Sequence, residues 1–468
     1  MEVVNPHINK DSLIYIFTYL EYDDLINASG VCQDWHDAAE TPWLWRWMCL
    51  QRWGFCNLAV VGREHQRRPW KRYFLRRSHL EEKMSQGRAS SDFTCKSLRG
   101  HTGRVVGLVY SEGTSTQSFD ICSRNTTICT ASSDGTVRAW DVQKGEQLWC
   151  SPVQSPLTGL VCDPERGVVI TVDSAGLVKT WEAQTGVEVA SYPTGSPHCS
   201  LLQYNINNRS FLSVGTNQGF LSTLVCPALS LSSRLAVCDS FPVNLLRVSP
   251  DKKWVLAASK NNANFSPKVI YAEGLTSCQA AVFVPTRPAR LATIHPLASI
   301  HPRGHRSEDK ALTVFDVNMK KTKYKSEIEV QQVESSTLPL KCSRATEILL
   351  EAKDGSTLVV AADLELWLYS LQGVCLASFK NHTEPISSIA VDSFRVVTAS
   401  RDLSLRVLTW RKDGSKGPWS LESRYHLLGG SHTMSRGFTR VACDYSSIVA
   451  CAEGRDGKDV LKVYTFTS

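Results

Sequence analysis

Past Asp92 the sequence changes period. For the remaining 376 residues, short runs rich in Val, Ile, Thr and aromatic side chains are divided by Gly, Asp, Asn and Ser. Many short strands at even spacing call for a repeated unit, each hiding its apolar face against the next. One unit is nearly complete: Gly100 and His101 lead into strand-like residues 105–110 and 126–131, followed by Ser132, Asp134, Gly135, Trp140 and Asp141.

That unit resembles a WD repeat. The resemblance implies a mainly β fold, a WD-repeat β-propeller, in which His101, Thr130, Asp134 and Trp140 form a buried hydrogen-bonded tetrad that locks a four-stranded blade. A His, a hydroxyl and an Asp could also suggest a catalytic triad. The repeat spacing accounts for all three without a pocket, so no catalytic residue is expected. The other repeats are eroded. His382, Thr398 and Asp402 keep three tetrad positions while Leu408 replaces the tryptophan; Trp181 is kept while Ala175 replaces the aspartate; Gln218 and Gly219 occupy the next turn, with Leu224 at the tryptophan position. Further blades are carried by pattern alone at residues 243–248 with 254–258, 311–316, 359–369, and 440–444 with 460–466. At ~40 to 45 residues per repeat, the length allows seven blades with insertions, or eight, and the strand count favours eight. Residues 93–98 are expected to pair with the final strand and close the ring, hiding its edges. The strand signal is weakest at 260–345, where local opening is expected.

Residues 1–47 are different, because their apolar spacing is helical. Leu13, Ile16, Phe17 and Leu20 fall on one face of a helix that Asn9 can cap. Asp23 and Asp24 can open a second helix carrying Leu25; Val31, Trp35 and Ala38 mark a third; Thr41 and Pro42 start a fourth carrying Leu44, Trp45 and Met48. Four such helices bury too little surface to be expected to stand alone. A helical cap or dimerisation hairpin would show the same spacing. The particular residues resemble an F-box, and that resemblance implies a surface gripped by the S-phase-kinase-associated adaptor, made of Ile8, Leu13, Ile16, Phe17, Leu20, Leu25, Val31, Cys32, Trp35, Leu44 and Trp45. Where the family opens with Leu-Pro, this chain has Ile8 and Asn9. Isoleucine keeps the apolar contact, but asparagine loses the ring and its fixed φ. Lower adaptor affinity is the consequence to test.

Residues 48–91 read as a basic helical linker. Between Arg63 and Arg77 seven Arg or Lys face one Glu, which accounts for six of the formal net charge of +7. Such a cluster can bind nucleic acid, but without a wider basic patch it reads better as a solvated helix whose aromatics, Trp70, Tyr73 and Phe74, pack beneath the propeller. The sixteen cysteines are scattered with no CxxC pair, and neither a secretory leader nor an apolar run of membrane length is evident, so reduced thiols and an intracellular, cytoplasmic or nuclear, location are expected. His295, His301 and His305 lie within eleven residues but match no common zinc spacing, and no phosphate loop or hydrolase motif is present; no metal or cofactor is expected.

The two parts together resemble the F-box/WD-repeat family, whose similarity extends to Leu50–Trp53, Trp140–Gly145, Ser151–Gln154 and Ser249–Val255. That resemblance implies a non-catalytic substrate-recognition subunit of an SCF-type, cullin-RING ubiquitin ligase, with the adaptor linking residues 1–47 to a cullin and the propeller holding an unidentified protein target. A WD-repeat scaffold whose F-box no longer engages a cullin is the alternative. In relatives that bind phosphorylated targets, arginines ring the propeller mouth. Arg401, immediately before Asp402, matches one such position, while Val106, Ser133 and Ser387 stand at others.

Overall fold

The computed structural model describes residues 9–53, 69–86, 93–111, 127–238, 241–249, 252–259, 268–276, 283–285, 293–298, 308–321, 326–338, 348–352, 357–370, 372–392, 395–412, 419–430, 435–444 and 446–466. They fall into two compact units, one helical and one of β-sheets.

The helical unit contains α1 (Lys10–Phe17), α2 (Tyr22–Ala28), α3 (Gln33–Ala39), α4 (Pro42–Trp53) and α5 (Pro69–Gln86). The Asn9 side chain accepts from the Asp11 amide and caps α1, a bond the proline usual at that position could not make. Pro42 opens α4, where its missing amide hydrogen costs nothing. Leu13, Phe17, Leu25, Leu44 and Trp45 meet in one buried core. Its last wall comes from α5: Phe74 packs edge-on to Trp45, with ring centroids 5.6 Å apart, and also lies against Tyr22. Tyr73 and Phe74 are therefore core residues of the helical unit, and Lys71 pairs with Glu40 over the Trp45 ring. The boundary read at residue 47 falls inside α4, and α5 supplies the apolar surface the four short helices lacked.

In the β unit, β1 (Thr94–Leu98) is followed by a four-stranded antiparallel sheet of β2 (Val105–Ser111), β3 (Thr127–Ser132), β4 (Val137–Asp141) and β5 (Glu146–Cys150). The same strand order recurs over residues 157–193, 200–236, 245–285, 349–379 and 386–428. The last four-stranded sheet combines Ser435–Cys443, Ser447–Gly454 and Val460–Thr465 with β1, which pairs antiparallel with Val460–Thr465. The second strand of a blade is covered on both faces, and every residue of β3, Val168–Asp173, Thr357–Ala362 and Arg395–Ser400 is buried. Outer strands such as β5 are largely exposed.

Among the described residues the propeller has seven four-stranded blades, which corrects the preference for eight and leaves the other expected number. The segment assigned to a further blade, 311–316, lies instead in a three-stranded sheet of Thr293–Ala298, Glu308–Lys321 and Ser326–Leu338. Its two long strands have 14 and 13 residues, against at most 10 for a blade strand. They pair along their length as one ribbon, with Val317 and Ile328 packed on Trp254, Leu256 and Val269 of the fourth blade. A strand count cannot separate such a ribbon from a blade.

Candidate functional site

The tetrad in the first blade is a directed chain of hydrogen bonds. Trp140 Nε1 donates to Thr130 Oγ1 (3.0 Å), the Thr130 hydroxyl meets His101 Nε2 (2.8 Å), and His101 Nδ1 meets Asp134 Oδ2 (3.0 Å). Asp134 also accepts from the Thr102 and Thr136 amides and the Thr136 hydroxyl. Burial pushes its carboxyl upward, but the bonds from His101, Thr136 and the amides outweigh burial and hold it well below the usual carboxylate range. Gly135 completes the turn at φ +79°, where an added Cβ would sit 2.0 Å from the Gln154 carbonyl oxygen. Only glycine fits there.

The sixth blade repeats the chain without its tryptophan: His382 joins Thr398 (2.7 Å) and Asp402 (3.0 Å), and Leu408 is buried beside them. Trp410 instead donates to the Asp392 carbonyl. Blades that look eroded in sequence replace the lock rather than lose it. Trp181 donates to Thr171 Oγ1 (2.9 Å), and Asp173, two residues before Ala175, accepts the Ala175 and Leu177 amides. In the third blade Tyr204, Ser213 and Thr223 form a hydroxyl relay in place of a tetrad.

Burial lowers the pKa of His382, and Arg406 and His426 add to the shift against the opposing Asp402. A histidine held neutral in the fold takes up its proton more readily once unfolded, so its contribution is complete above its ordinary pKa of about 6.5 and is lost as pH falls toward the folded value. The protein is therefore expected to unfold at lower denaturant concentration at pH 5.5 than at pH 7.5. A His382→Gln variant, compared across the same two buffers by chemical denaturation, should show a smaller difference.

On the helical unit, the eleven residues expected at the adaptor surface divide. Leu13, Phe17, Leu25, Leu44 and Trp45 are buried in the unit's own core, and Leu20 and Trp35 pack at its margin. Ile16 (48% exposed), Val31 (63% exposed) and Cys32 remain available to a partner, while Ile8 lies outside the described residues. Tyr15, Tyr19, Ile26, Trp43 and Leu50 are also exposed, and the sequence reading had not selected them. A helical stripe marks which residues are apolar, not which of them lie at its edge.

Arg401 is half exposed and its Nη1 pairs with Glu453 Oε2 at 3.2 Å. Glu453 also holds Arg104 at 3.1 Å and draws Arg436 to 3.9 Å. Arg104 is held further, since its other nitrogen donates to Asp459 and to the Gly454 carbonyl, whereas Arg401 and Arg436 are half or more exposed to solvent. The first, sixth and seventh blades thus gather three arginines on one carboxylate, where sequence reasoning selected a single arginine. Arg436 is near because Gly437 lies directly against the Arg401 backbone, with an added Cβ 2.3 Å from its Cα. Among the described residues no group of His, Cys, Asp or Glu has the geometry to hold a metal ion, and His301 and His305 lie outside them. No described helix is long and apolar enough to cross a membrane.

Comparison with known sequences finds likenesses in both units. An F-box-like family model matches residues 10–51, and the WD domain, G-beta repeat model matches 93–141 and 373–408. The chain carries both units and is similar along its whole length to human F-box/WD repeat-containing protein 12, at 28% identity with 100% of each chain covered. Mouse F-box/WD repeat-containing protein 15 is 24% identical over 87% of this chain and 88% of its own. A probable E3 ubiquitin ligase complex SCF subunit, sconB of Arthroderma otae, is 25% identical over 28% of this chain and 22% of its own.

Proposed function

We propose that this chain is the non-catalytic substrate-recognition subunit of an SCF-type, cullin-RING ubiquitin ligase. The carrying observation is the set of apolar side chains, Ile16 and Val31 among them, that an F-box-like helical unit leaves outside its own filled core. Exposed apolar surface of this kind marks an interaction site. The S-phase-kinase-associated adaptor covers it and connects the chain to a cullin. The propeller holds a protein target on the side where Arg401 and Arg436 are exposed, and transfer of ubiquitin is favoured by proximity alone. The role needs no cofactor and belongs inside the cell, in cytoplasm or nucleus. Support also comes from the likeness to sconB, a probable SCF subunit.

Affinity purification of the full chain is expected to recover the adaptor and a cullin, and a chain lacking residues 1–50 is expected to recover neither. Failure of the intact chain to bring down the adaptor would refute the proposal.

A further inference from the structure

At the end of α1 two tyrosine side chains stand in solvent, joined only to each other in the polar contacts they make. Tyr15 is 64% and Tyr19 73% exposed, their hydroxyls are 2.8 Å apart, and the rings meet edge-on at 5.4 Å. Tyr15 lies within the helix, whereas Tyr19 sits beyond its C-cap, Thr18, in the turn before α2. A tyrosine in a turn can be presented to an enzyme without unwinding a helix. Both flank Ile16, one of the exposed apolar residues assigned above to the adaptor.

The surrounding charge decides what a modification would do. The last turn of α1 holds no basic residue, and the helix C-terminus carries partial negative charge. Glu21, Asp23 and Asp24 follow directly, and all three are exposed. A phosphate here, at nearly two negative charges, would find repulsion instead of a cation, on a surface that must lose water to bind.

We infer that Tyr19 is a phosphorylation site whose modification releases this chain from its adaptor. The inference rests on the adaptor reading above. In the step, Tyr19 Oη attacks the γ-phosphorus of a nucleoside triphosphate held by a protein tyrosine kinase. The new O–P bond forms as the bond to the β,γ-bridging oxygen breaks, the nucleoside diphosphate leaves, and the phenolic proton passes to the kinase's base. The hydrogen bond with Tyr15, ahead of the charge repulsion between the two, raises the Tyr19 phenol above its ordinary value, so proton removal falls to the kinase.

The test treats the purified full chain with a broad-specificity protein tyrosine kinase and ATP, reads the occupancy of Tyr19 by mass spectrometry, and measures affinity for the purified adaptor before and after. Phosphate at Tyr19 and an affinity loss of about tenfold or more are expected. Tyr19→Phe should keep its own starting affinity after kinase treatment, whereas Tyr15→Phe should still lose affinity. No phosphate at Tyr19, or full occupancy with unchanged affinity, overturns the inference and leaves the adaptor reading standing. Absence of binding by the unmodified chain overturns both, and the occupancy measurement keeps the two failures apart.

Discussion

Replacing Ile16 and Val31 together by aspartate is expected to weaken adaptor binding by about a hundredfold or more, because each charge would be forced into a dehydrated apolar contact without a partner. The fold should survive. Both side chains are exposed, so their loss opens no cavity, and surface substitutions of this kind usually change stability by no more than about 0.5 kcal/mol. Phe17→Ala is the contrasting variant. Phe17 lies in the core against Trp35, and truncating a buried phenylalanine costs about 3 to 5 kcal/mol, enough to lose binding through unfolding. Binding isotherms with purified adaptor, read beside melting curves, separate the two mechanisms. Unaltered affinity in the double aspartate variant would place the adaptor surface elsewhere.

Asp134→Ala should destabilise the propeller strongly, by about 2 to 3 kcal/mol. The carboxylate collects His101, the Thr102 amide, and the amide and hydroxyl of Thr136, and its removal leaves those donors in a buried turn without their acceptor. Its depressed pKa fixes the pH dependence. The contribution is complete above the ordinary carboxylate value, about 4, and falls away as acid protonates the folded protein. Asp402, also depressed through bonds to Ser404, Thr383 and His382 that outweigh burial, should behave in the same direction. Equilibrium denaturation measures both. A loss below about 1 kcal/mol for Asp134→Ala would show that the network is not what locks the blade.

The tetrad residues could be found in sequence because one repeat preserves Gly100, His101, Asp134 and Trp140 at full spacing. Asp173 could not, since it does its work two positions away from where the pattern looks, and Tyr204 fills a polar gap with a side chain the pattern does not contain. The helical stripe gave the F-box helices but not their orientation: Phe17 turns inward and its neighbour Ile16 outward. Arg401 was visible beside Asp402, yet Glu453, Arg104 and Arg436 come together only where the first, sixth and seventh blades meet. The eighth blade failed because a long ribbon and a blade share the same alternation of apolar residues.

The pairing of β1 with Val460–Thr465 sets the order of events at the ribosome. Arg104 and Asp459, bonded between the first and seventh blades, are 355 positions apart. Contacts of such separation form late and slowly. Early blades can assemble as they emerge, but β1 must wait with its edge uncovered until the last strand has been made. A chaperone that shields this one strand would therefore protect the nascent protein for most of its synthesis.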